Sequence, residues 1–357
     1  MRRKKLTSFG VFALLSLVAG AQAQVTLTAK AGFGVGGWVA PVAASTTLDI
    51  GSLTRGFAYD QATNQLVVVN RQGGVNLNLL NASTGALNGQ MSNAGLTGGT
   101  FLANQVGVGT DGKVYVANLA TATGGLFKIY EFGSASIGAT GSAVYTYTTT
   151  APDARIGDSF DVFGGGSSLA FVAGVASPAT TAGYHTVNSA FAGSTVAVAG
   201  TSVGDFRLGV TFGATSNDIF GTQGAQNLRV TQGGTLQGTG TLLTGSARPM
   251  DFAVINGVSL LATIDTVSSQ VQVYDMANPL SPVFIAQGNN TTGSLTANGN
   301  GVGQVKFAQD ASGAWSLYAM STNQGIQAYD LQVVPEPATM LVLAGAAAIA
   351  ARRRKKA

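Results

Sequence analysis

The sequence has no cysteine, a single histidine and few charged residues. Charged residues make up 10% of its 357 residues, against roughly 25% in ordinary globular proteins. The absence of Cys excludes disulfide bonds, thiolate zinc sites and thiol catalysis, and one His excludes a metal site built from several histidines. Hydrophobic residues make up 45% of the chain, which is too many for a disordered protein. The length suits one large domain or two ordinary ones.

The basic charge is concentrated at the two ends of the chain. The formal net charge is +4, but residues 2–5 and 352–356 are all Lys or Arg. Residues 25–334 contain 10 basic and 14 acidic residues, a net charge of −4. A protein that follows a phosphate backbone needs clustered Lys and Arg on a folded surface. We therefore expect no nucleic acid among the partners.

The first 23 residues have the pattern of a secretory signal peptide. A basic segment ends at Lys5, an apolar stretch covers residues 9–20, and Ala21-Gln22-Ala23 supplies the small side chains that signal peptidase requires. We predict a signal peptide over residues 1–23, cleaved after Ala23. The alternative is an uncleaved membrane anchor, but the apolar stretch is shorter than the roughly 20 residues that span a bilayer.

The C-terminus combines a proline motif, an apolar segment and a basic tail. Pro335, Glu336 and Pro337 precede the apolar residues 338–351, and residues 352–356 are basic. As a helix the apolar segment would be roughly 21 Å long at about 1.5 Å per residue, less than the roughly 30 Å of a bilayer core. The basic tail favours a cytoplasmic end, so the pattern suits a temporary tether. The alternative is a buried terminal helix with a solvated tail. The tail consists of Arg352, Arg353, Arg354, Lys355 and Lys356.

This arrangement over residues 335–357 resembles a PEP-CTERM protein-sorting signal. The resemblance implies an exosortase, a membrane-embedded transpeptidase-like enzyme, as the processing partner, with Pro335, Glu336 and Pro337 as its recognition residues. It also implies a Gram-negative bacterium that makes extracellular polysaccharide. The expected route is export through the inner membrane, transient anchoring by the C-terminal helix, and release to the cell envelope or the extracellular space.

Between the terminal signals, short apolar strands alternate with turns rich in Gly, Asn, Asp, Ser and Thr. Residues 66–69 read Leu-Val-Val-Val after a turn at Asn64, and residues 114–117 follow the pair Asp111-Gly112, which is typical of a tight hairpin. No stretch has helical periodicity over three turns. The body is therefore predicted to be all-β.

A repeat runs through this body. Candidate repeats begin near residues 55, 104, 158, 204, 248 and 303. They are spaced roughly 44–55 residues apart, close to the roughly 40–50 residues of a propeller blade. We predict a β-propeller over residues 24–334 with six or seven four-stranded blades, in which residues 25–50 would supply a seventh sheet. Gly-Thr alternation over residues 230–245 leaves a β-solenoid as the alternative fold.

Parts of the body resemble an uncharacterised family of secreted, propeller-like bacterial proteins. The resemblance lies in Arg55-Gly56 before a strand and in residues 98–101, 104–109, 111–112, 114–119, 298–303 and 307. It implies a propeller and secretion, and it implies no particular activity.

Candidate catalytic and metal-binding residues are few. His185 would need Asp158, Asp161 or Asp205 to form a Ser–His–Asp triad, but its Gly- and Ala-rich surroundings predict a histidine in a surface loop. Asp158 and Asp161 have the hard oxygen ligands that Ca²⁺ prefers, although their spacing does not match an EF-hand. The simpler interpretation is that these two aspartates cap turns. No catalytic residue and no cofactor other than this calcium ion are predicted.

Two further sets of polar residues are expected at the ends of strands. One set is predicted to form Asx-turns between strands: Asp60, Asp111, Asp275, Asp310 and Asp330. The other set lies either at solvated strand ends or in the central funnel of a propeller: Arg55, Asn70, Arg71, Asn104 and Asn118.

The sequence thus predicts an exported, non-enzymatic protein of the cell envelope or extracellular matrix that binds glycan, such as exopolysaccharide, or protein. The alternative is a propeller-fold hydrolase or lyase with an Asp/Arg site in the funnel, with or without Ca²⁺. Asp, Arg and His185 side chains converging in the funnel would favour the enzyme, and a funnel filled by Ala, Val and Thr would favour the structural role.

Overall fold

The structure is a computed structural model of the chain and describes residues 23–176, 183–223 and 227–335. These residues form 25 β-strands and two 3₁₀ turns, Ala151–Asp153 and Gly166–Ser168. The strands make six antiparallel sheets, and the sheets are the blades of a β-propeller. The all-β propeller prediction is confirmed and the solenoid alternative is wrong.

Two strands precede the first blade. These are β1 (Gln24–Ala29) and the short β2 (Trp38–Val39). Both pair with the last strand that the structure describes.

Each of the first five blades takes four strands from one continuous stretch of chain and begins with its innermost strand. Blade 1 contains β3 (Thr54–Asp60), β4 (Gln65–Asn70), β5 (Asn76–Asn81) and β6 (Leu87–Met91). Blade 2 contains β7 (Phe101–Val108), β8 (Val114–Leu119), β9 (Leu126–Phe132) and β10 (Gly141–Thr148). Blade 3 contains β11 (Arg155–Phe163), β12 (Ala170–Ala176), β13 (Gly183–Asn188) and β14 (Gly193–Ala197). Blade 4 contains β15 (Gly209–Phe212), β16 (Asp218–Thr222), β17 (Asn227–Gln232) and β18 (Thr235–Thr241). Blade 5 contains β19 (Ala247–Ile255), β20 (Val258–Asp265), β21 (Val271–Asp275) and β22 (Val283–Gly288).

Blade 6 joins the two ends of the body. It contains β23 (Gly303–Gln309), β24 (Trp315–Ser321) and β25 (Ile326–Val334), and β1 completes it. Gln24 lies opposite Val334 and Ala29 lies opposite Tyr329 in this antiparallel pair. The predicted repeat starts therefore correspond to the six inner strands, whereas the seventh sheet from residues 25–50 is wrong because residues 24–29 are the outer strand of blade 6.

Turns between strands are held by aspartate side chains. Asp60, Asp111, Asp275 and Asp310 each accept a hydrogen bond from the backbone N–H two residues further on. This is the Asx-turn, as predicted. The prediction is wrong for Asp330, which lies within β25 and pairs with Lys30.

The hydrophobic core lies between neighbouring blades. Tyr115 of blade 2 packs edge-to-face on Phe171 of blade 3, with ring centroids 4.8 Å apart, and both rings are buried. A buried aromatic side chain removes roughly 150–250 Å² from water. Burying an apolar side chain of this size stabilises the fold by about 1.5–3 kcal/mol. Small residues let the inner strands approach near the axis: a Cβ on Gly107 would collide with Val162.

The two predicted terminal signals fall almost entirely outside the described residues. Ala23 is described, is buried and joins the core of blades 5 and 6. Ala21 and the rest of the predicted signal peptide, Glu336, Pro337, the apolar segment and the basic tail lie outside. Within the described part of the chain, no helix has the length and hydrophobicity needed to cross a membrane.

Candidate functional site

The six inner strands surround a cavity on the propeller axis. Neighbouring inner strands contact each other around the complete ring, including β23 with β3. The cavity has a volume of about 350 Å³, and every inner strand contributes to its wall. Its lining residues come mostly from the second half of each inner strand, so it lies towards the C-terminal ends of these strands. We call it the axial cavity.

A lysine bridges two carboxylates in the wall of the axial cavity. Lys306 Nζ lies 2.6 Å from Asp161 Oδ1 and 2.7 Å from Asp251 Oδ1. The three residues belong to blades 6, 3 and 5, and their side chains are 14%, 7% and 10% exposed. We call this group the lysine bridge. With two carboxylates and one ammonium it carries a net charge of −1 when all three groups are ionised.

Backbone and hydroxyl donors fix both carboxylates. Asp161 Oδ2 accepts hydrogen bonds from Thr211 Oγ1 and Phe212 N, and Asp251 Oδ2 accepts one from Phe307 N. Asp161 thus connects blade 3 to blade 4, and Asp251 connects blade 5 to blade 6. These hydrogen bonds use the Oδ2 atoms and leave the Oδ1 atoms to Lys306.

The charged groups of the lysine bridge change each other's pKa values. Burial alone would lower the pKa of Lys306, but the carboxylates of Asp161 and Asp251 outweigh it and raise the pKa above its ordinary value. Burial raises the pKa of Asp251, and the negative charge of Asp161 adds to the rise while Lys306 opposes it. A carboxyl group with a raised pKa can exchange a proton near neutral pH.

Aromatic rings form much of the remaining wall. They are Tyr59, Phe163, Phe212, Phe252 and Phe307. Apolar walls with a few fixed polar groups are typical of small-molecule sites, whose volumes run from roughly 300 to 1,000 Å³.

An arginine cluster lies towards the N-terminal ends of the inner strands. Both oxygens of the buried Asp158 accept hydrogen bonds from Arg155, and Oδ2 also accepts one from Arg207 Nε at 2.8 Å. Arg55 Nη2 lies 3.9 Å from Asp158 Oδ1. Arg55 and Arg71 donate to Asn104 Oδ1 at 3.0 and 3.3 Å. We call these four arginines, with Asp158 and Asn104, the arginine cluster.

Burial and the charges of neighbouring arginines lower the pKa of two arginines in the cluster. Burial lowers the pKa of Arg55 to about 10, and Asp158 opposes this shift. Burial lowers the pKa of Arg71 to about 9, and the charge of Arg55 adds to it. Burial alone would raise the pKa of Asp158, but Arg155 and Arg207 keep it below its ordinary value. All of these groups are charged at neutral pH.

The structure separates the two aspartates that were candidates for calcium. Asp158 pairs with arginines and Asp161 pairs with Lys306, although both lie on β11. Neither caps a turn, so that interpretation is wrong. In residues 23–335, apart from the undescribed segments 177–182 and 224–226, no group of three or more His, Cys, Asp or Glu side chains is placed to hold a metal ion.

Sequence reasoning missed Lys306, Asp251, Arg155 and Arg207. Each lies in or directly before the first strand of a repeat. Few residues of the body are charged, and the inner strands face the axis. A charged residue in the first strand of a repeat was therefore the sequence signal that could have indicated a functional residue.

His185 is not in a surface loop, and that prediction is wrong. It lies on β13 and is 1% exposed. Its Nε2 is 2.7 Å from Tyr145 Oη and its Nδ1 is 2.8 Å from Thr195 Oγ1. Thr195 in turn donates to Asp153. None of the aspartates proposed for a triad bonds to His185, whose hydrogen-bond partners are Tyr145 and Thr195.

Of the predicted funnel residues, Arg55, Arg71 and Asn104 come together in the arginine cluster. Asn70 instead donates to Ser45 O, and Asn118 donates to Leu126 O within blade 2. Charged side chains therefore come together in two separate groups, of which the lysine bridge lines the axial cavity, and His185 belongs to neither.

The fold and these charged groups define a six-bladed β-propeller with one group of charged side chains in its axial cavity and a second group towards the N-terminal ends of its inner strands. Residues 333–355 match the PEP-CTERM protein-sorting motif. This motif implies export, exosortase processing and transient association with the membrane on the way to the envelope or the extracellular space. No curated protein matches the chain in sequence.

Solved structures resemble the body in fold. A DUF4623 family protein from Bacteroides eggerthii aligns with a TM-score of 0.61 and 17% identity over 81% of this chain and 72% of that one. A gluconolactonase from Xanthomonas campestris aligns with a TM-score of 0.52 and 11% identity over 88% of this chain and 96% of that one. The major allergen Mala s 1 of Malassezia sympodialis aligns with a TM-score of 0.50 and 11% identity over 80% and 93%. At these identities the likeness concerns the fold alone.

Proposed function

We propose that this exported, exosortase-processed propeller binds a neutral saccharide unit of an extracellular polysaccharide in its axial cavity and does not transform it. The observation that carries the proposal is the lysine bridge, placed in a cavity with aromatic walls. The ligand would belong to the matrix into which the sorting signal delivers the protein.

The polar groups of the cavity suit hydroxyl groups. Lys306 has three donors and no acceptor, whereas the ionised carboxylates of Asp161 and Asp251 only accept. A hydroxyl group both donates and accepts, so neighbouring sugar hydroxyls can satisfy both kinds of group. An anionic ligand would be opposed by the net negative charge of the lysine bridge.

The cavity is suited to a saccharide rather than a protein. The axial cavity has a volume of about 350 Å³, within the range of small-molecule sites, whereas a stable protein interface is an extended surface of roughly 800 Å² on each partner. Aromatic faces such as those of Phe252 and Phe307 provide apolar surface against the C–H face of a sugar ring.

The test is calorimetric titration of the exported protein with neutral gluco-, manno- and galacto-oligosaccharides. We expect saturable binding by at least one series, weakened tenfold or more in Lys306→Met and Asp251→Asn. The control is Lys113→Met, because Lys113 forms a partly exposed ion pair with Glu131 and neither residue lines the axial cavity. Absence of binding by all three series, or equal binding by all variants, would reject the proposal.

A hydrolase or lyase is the second candidate, and the raised pKa of Asp251 beside Asp161 favours it. A hydrolase should release new reducing ends from the neutral oligosaccharides, a lyase should do so only from oligosaccharides that contain a uronate, and Asp251→Asn should stop the release. A calcium ion at Asp158 or Asp161 belongs to this alternative, although either carboxylate would have to give up a cationic partner. It predicts a higher Tm in millimolar Ca²⁺.

A further inference from the structure

The arginine cluster carries more positive charge than its protein partners neutralise. Arg55, Arg71, Arg155 and Arg207 surround a single carboxylate, that of Asp158. No other carboxylate in the described segments pairs with any of the four. The excess of three positive charges is partly buried, and like charges held together in a poorly solvated region oppose folding.

Several guanidinium N–H groups of the cluster point to no protein acceptor. Arg207 uses only Nε, on Asp158, among the hydrogen bonds of the described residues. Arg71 uses only Nη1, on Asn104, and its Nε is buried without a partner. A guanidinium group has five N–H donors, and a buried donor without a partner costs free energy. The cluster therefore lacks acceptors as well as negative charge.

The protein holds these donors in fixed positions. Arg55 is bound through Ser52 O and Asn104, and Asn104 is held by the backbone carbonyl of Gly157 at 2.6 Å. The guanidinium group of Arg71 lies 3.8 Å from the centroid of the Phe101 ring. Such stacking fixes the plane of an arginine. The cluster is thus preorganised.

The outer members of the cluster are open to solvent. The side chains of Arg155 and Arg207 are 28% and 30% exposed, whereas those of Arg55 and Asp158 are 4% and 1% exposed. Arg155 and Arg207 are therefore the members that a dissolved ligand can reach, whereas Asp158 and Arg55 lie behind them, away from solvent.

We propose that the arginine cluster is a second binding site, for the oxyanion of a small ligand. The group is either the carboxylate of an acidic sugar or a phosphate, both of which fit the guanidinium fork. This site differs in charge from the axial cavity, which is negative, and it is independent of the saccharide binding proposed there.

The test is calorimetric titration of the exported protein with sodium glucuronate and with inorganic phosphate, at ionic strength held constant with sodium chloride. We expect saturable binding by one or both. Binding by glucuronate alone identifies a carboxylate ligand, and binding by phosphate alone identifies a phosphate ligand. A charge-assisted hydrogen bond is worth roughly 1.5–3 kcal/mol, so Arg207→Gln and Arg71→Gln should each weaken binding about tenfold to 100-fold.

Two controls make the result specific. Lys113→Gln removes one positive charge from an ion pair of blade 2 and should leave anion binding unchanged. Arg207→Lys keeps the charge but loses the fork, so it should bind with intermediate affinity and covers the case in which Arg207→Gln fails to fold. Absence of saturable anion binding, or equal binding by wild type and all arginine variants, would overturn the proposal. Glucuronate binding without binding of neutral oligosaccharides would overturn only the function proposed for the axial cavity.

Discussion

Lys306 Nζ lies 2.6 Å from Asp161 Oδ1, although 145 residues separate them in the chain. Asp251 is the second partner of the same ammonium, 55 residues away. The contact exists only when blades 3, 5 and 6 are assembled around the axis. It therefore makes the axial cavity a product of the complete ring.

Removing the lysine should destabilise the ring in a pH-dependent way. Lys306→Met leaves Asp161 and Asp251 as two unpaired, largely buried carboxylates, which costs about 3–5 kcal/mol at neutral pH. Burial raises the pKa of Asp251 and Lys306 opposes the rise, so without the lysine the folded state favours protonated Asp251 more strongly than the unfolded state does. Part of the lost stability therefore returns as pH falls from 7 to 5. Urea unfolding at several pH values measures this.

The lysine prediction has a matched control. Lys113→Met removes a lysine from an ion pair that is 41% exposed on the lysine side, and solvent screens such pairs strongly. Its free energy of unfolding should change little at any pH. A Lys306→Met variant with the same pH profile as this control would show that the lysine bridge does not hold the ring together.

Ring closure by the N-terminal strand gives the second prediction. β1 covers β25, whose Tyr329, Leu331 and Val333 are buried core residues. Deletion of residues 24–29 should expose this core and an unpaired strand edge, so that the Tm falls by more than roughly 10 °C or the protein aggregates.

A circular permutant keeps the pairing of β1 with β25 but removes the free N-terminus next to β1, so it tests whether the pairing itself stabilises blade 6. Gln24 lies opposite Val334, so a short linker can join them, with new termini between the exposed residues Thr292 and Gly293. Chain breaks in exposed loops are usually tolerated. The permutant should keep a Tm close to that of wild type. A permutant as unstable as the deletion would show that closure by β1 is not what stabilises blade 6.

Much of this fold could be predicted from the sequence because blades are local. Strand alternation, the Asp111-Gly112 hairpin and the repeat spacing all report contacts within about 50 residues. The closure of blade 6 could not be predicted, because β1 and β25 are some 300 residues apart and β1 alone has the pattern of any outer strand. The lysine bridge and the arginine cluster could not be predicted for the same reason. Asp158 and Asp161 look like one pair in sequence, yet Asp161 pairs with a lysine of blade 6, and Asp158 pairs with Arg207 of another repeat as well as with Arg155 of its own strand.

The sorting signal gives the third prediction, which uses the only two glutamates of the chain, Glu131 and Glu336. Glu336→Gln alters the PEP-CTERM motif, so the exported protein should keep its C-terminal segment and fractionate with the membrane. Glu131→Gln alters a residue of β9 and should be processed like wild type. Intact mass and cell fractionation measure both. Identical processing and location of the two variants would show that Glu336 is not recognised during sorting.

The buried histidine gives the fourth prediction, the loss of stability in mild acid. Burial lowers the pKa of His185 to about 4, and the charge of Asp153 opposes this shift only in part. An unfolded histidine has a pKa near 6.5, so the unfolded state binds more protons than the folded state between about pH 6.5 and 4. The contribution of His185 is therefore fully present above pH 6.5, and about 3 kcal/mol is lost as pH falls towards 4.

Asp251 acts in the opposite direction, because its raised pKa favours the folded state as pH falls. The effect of His185 must therefore be read as the difference between wild type and His185→Gln, whose amide can still bond to Tyr145 and Thr195 but does not titrate. We expect the free-energy difference between the two proteins to shrink or change sign as pH falls from 7 to 4.5. A constant difference over this range would mean that His185 takes up its proton equally in both states, which would contradict its buried contacts with Tyr145 and Thr195.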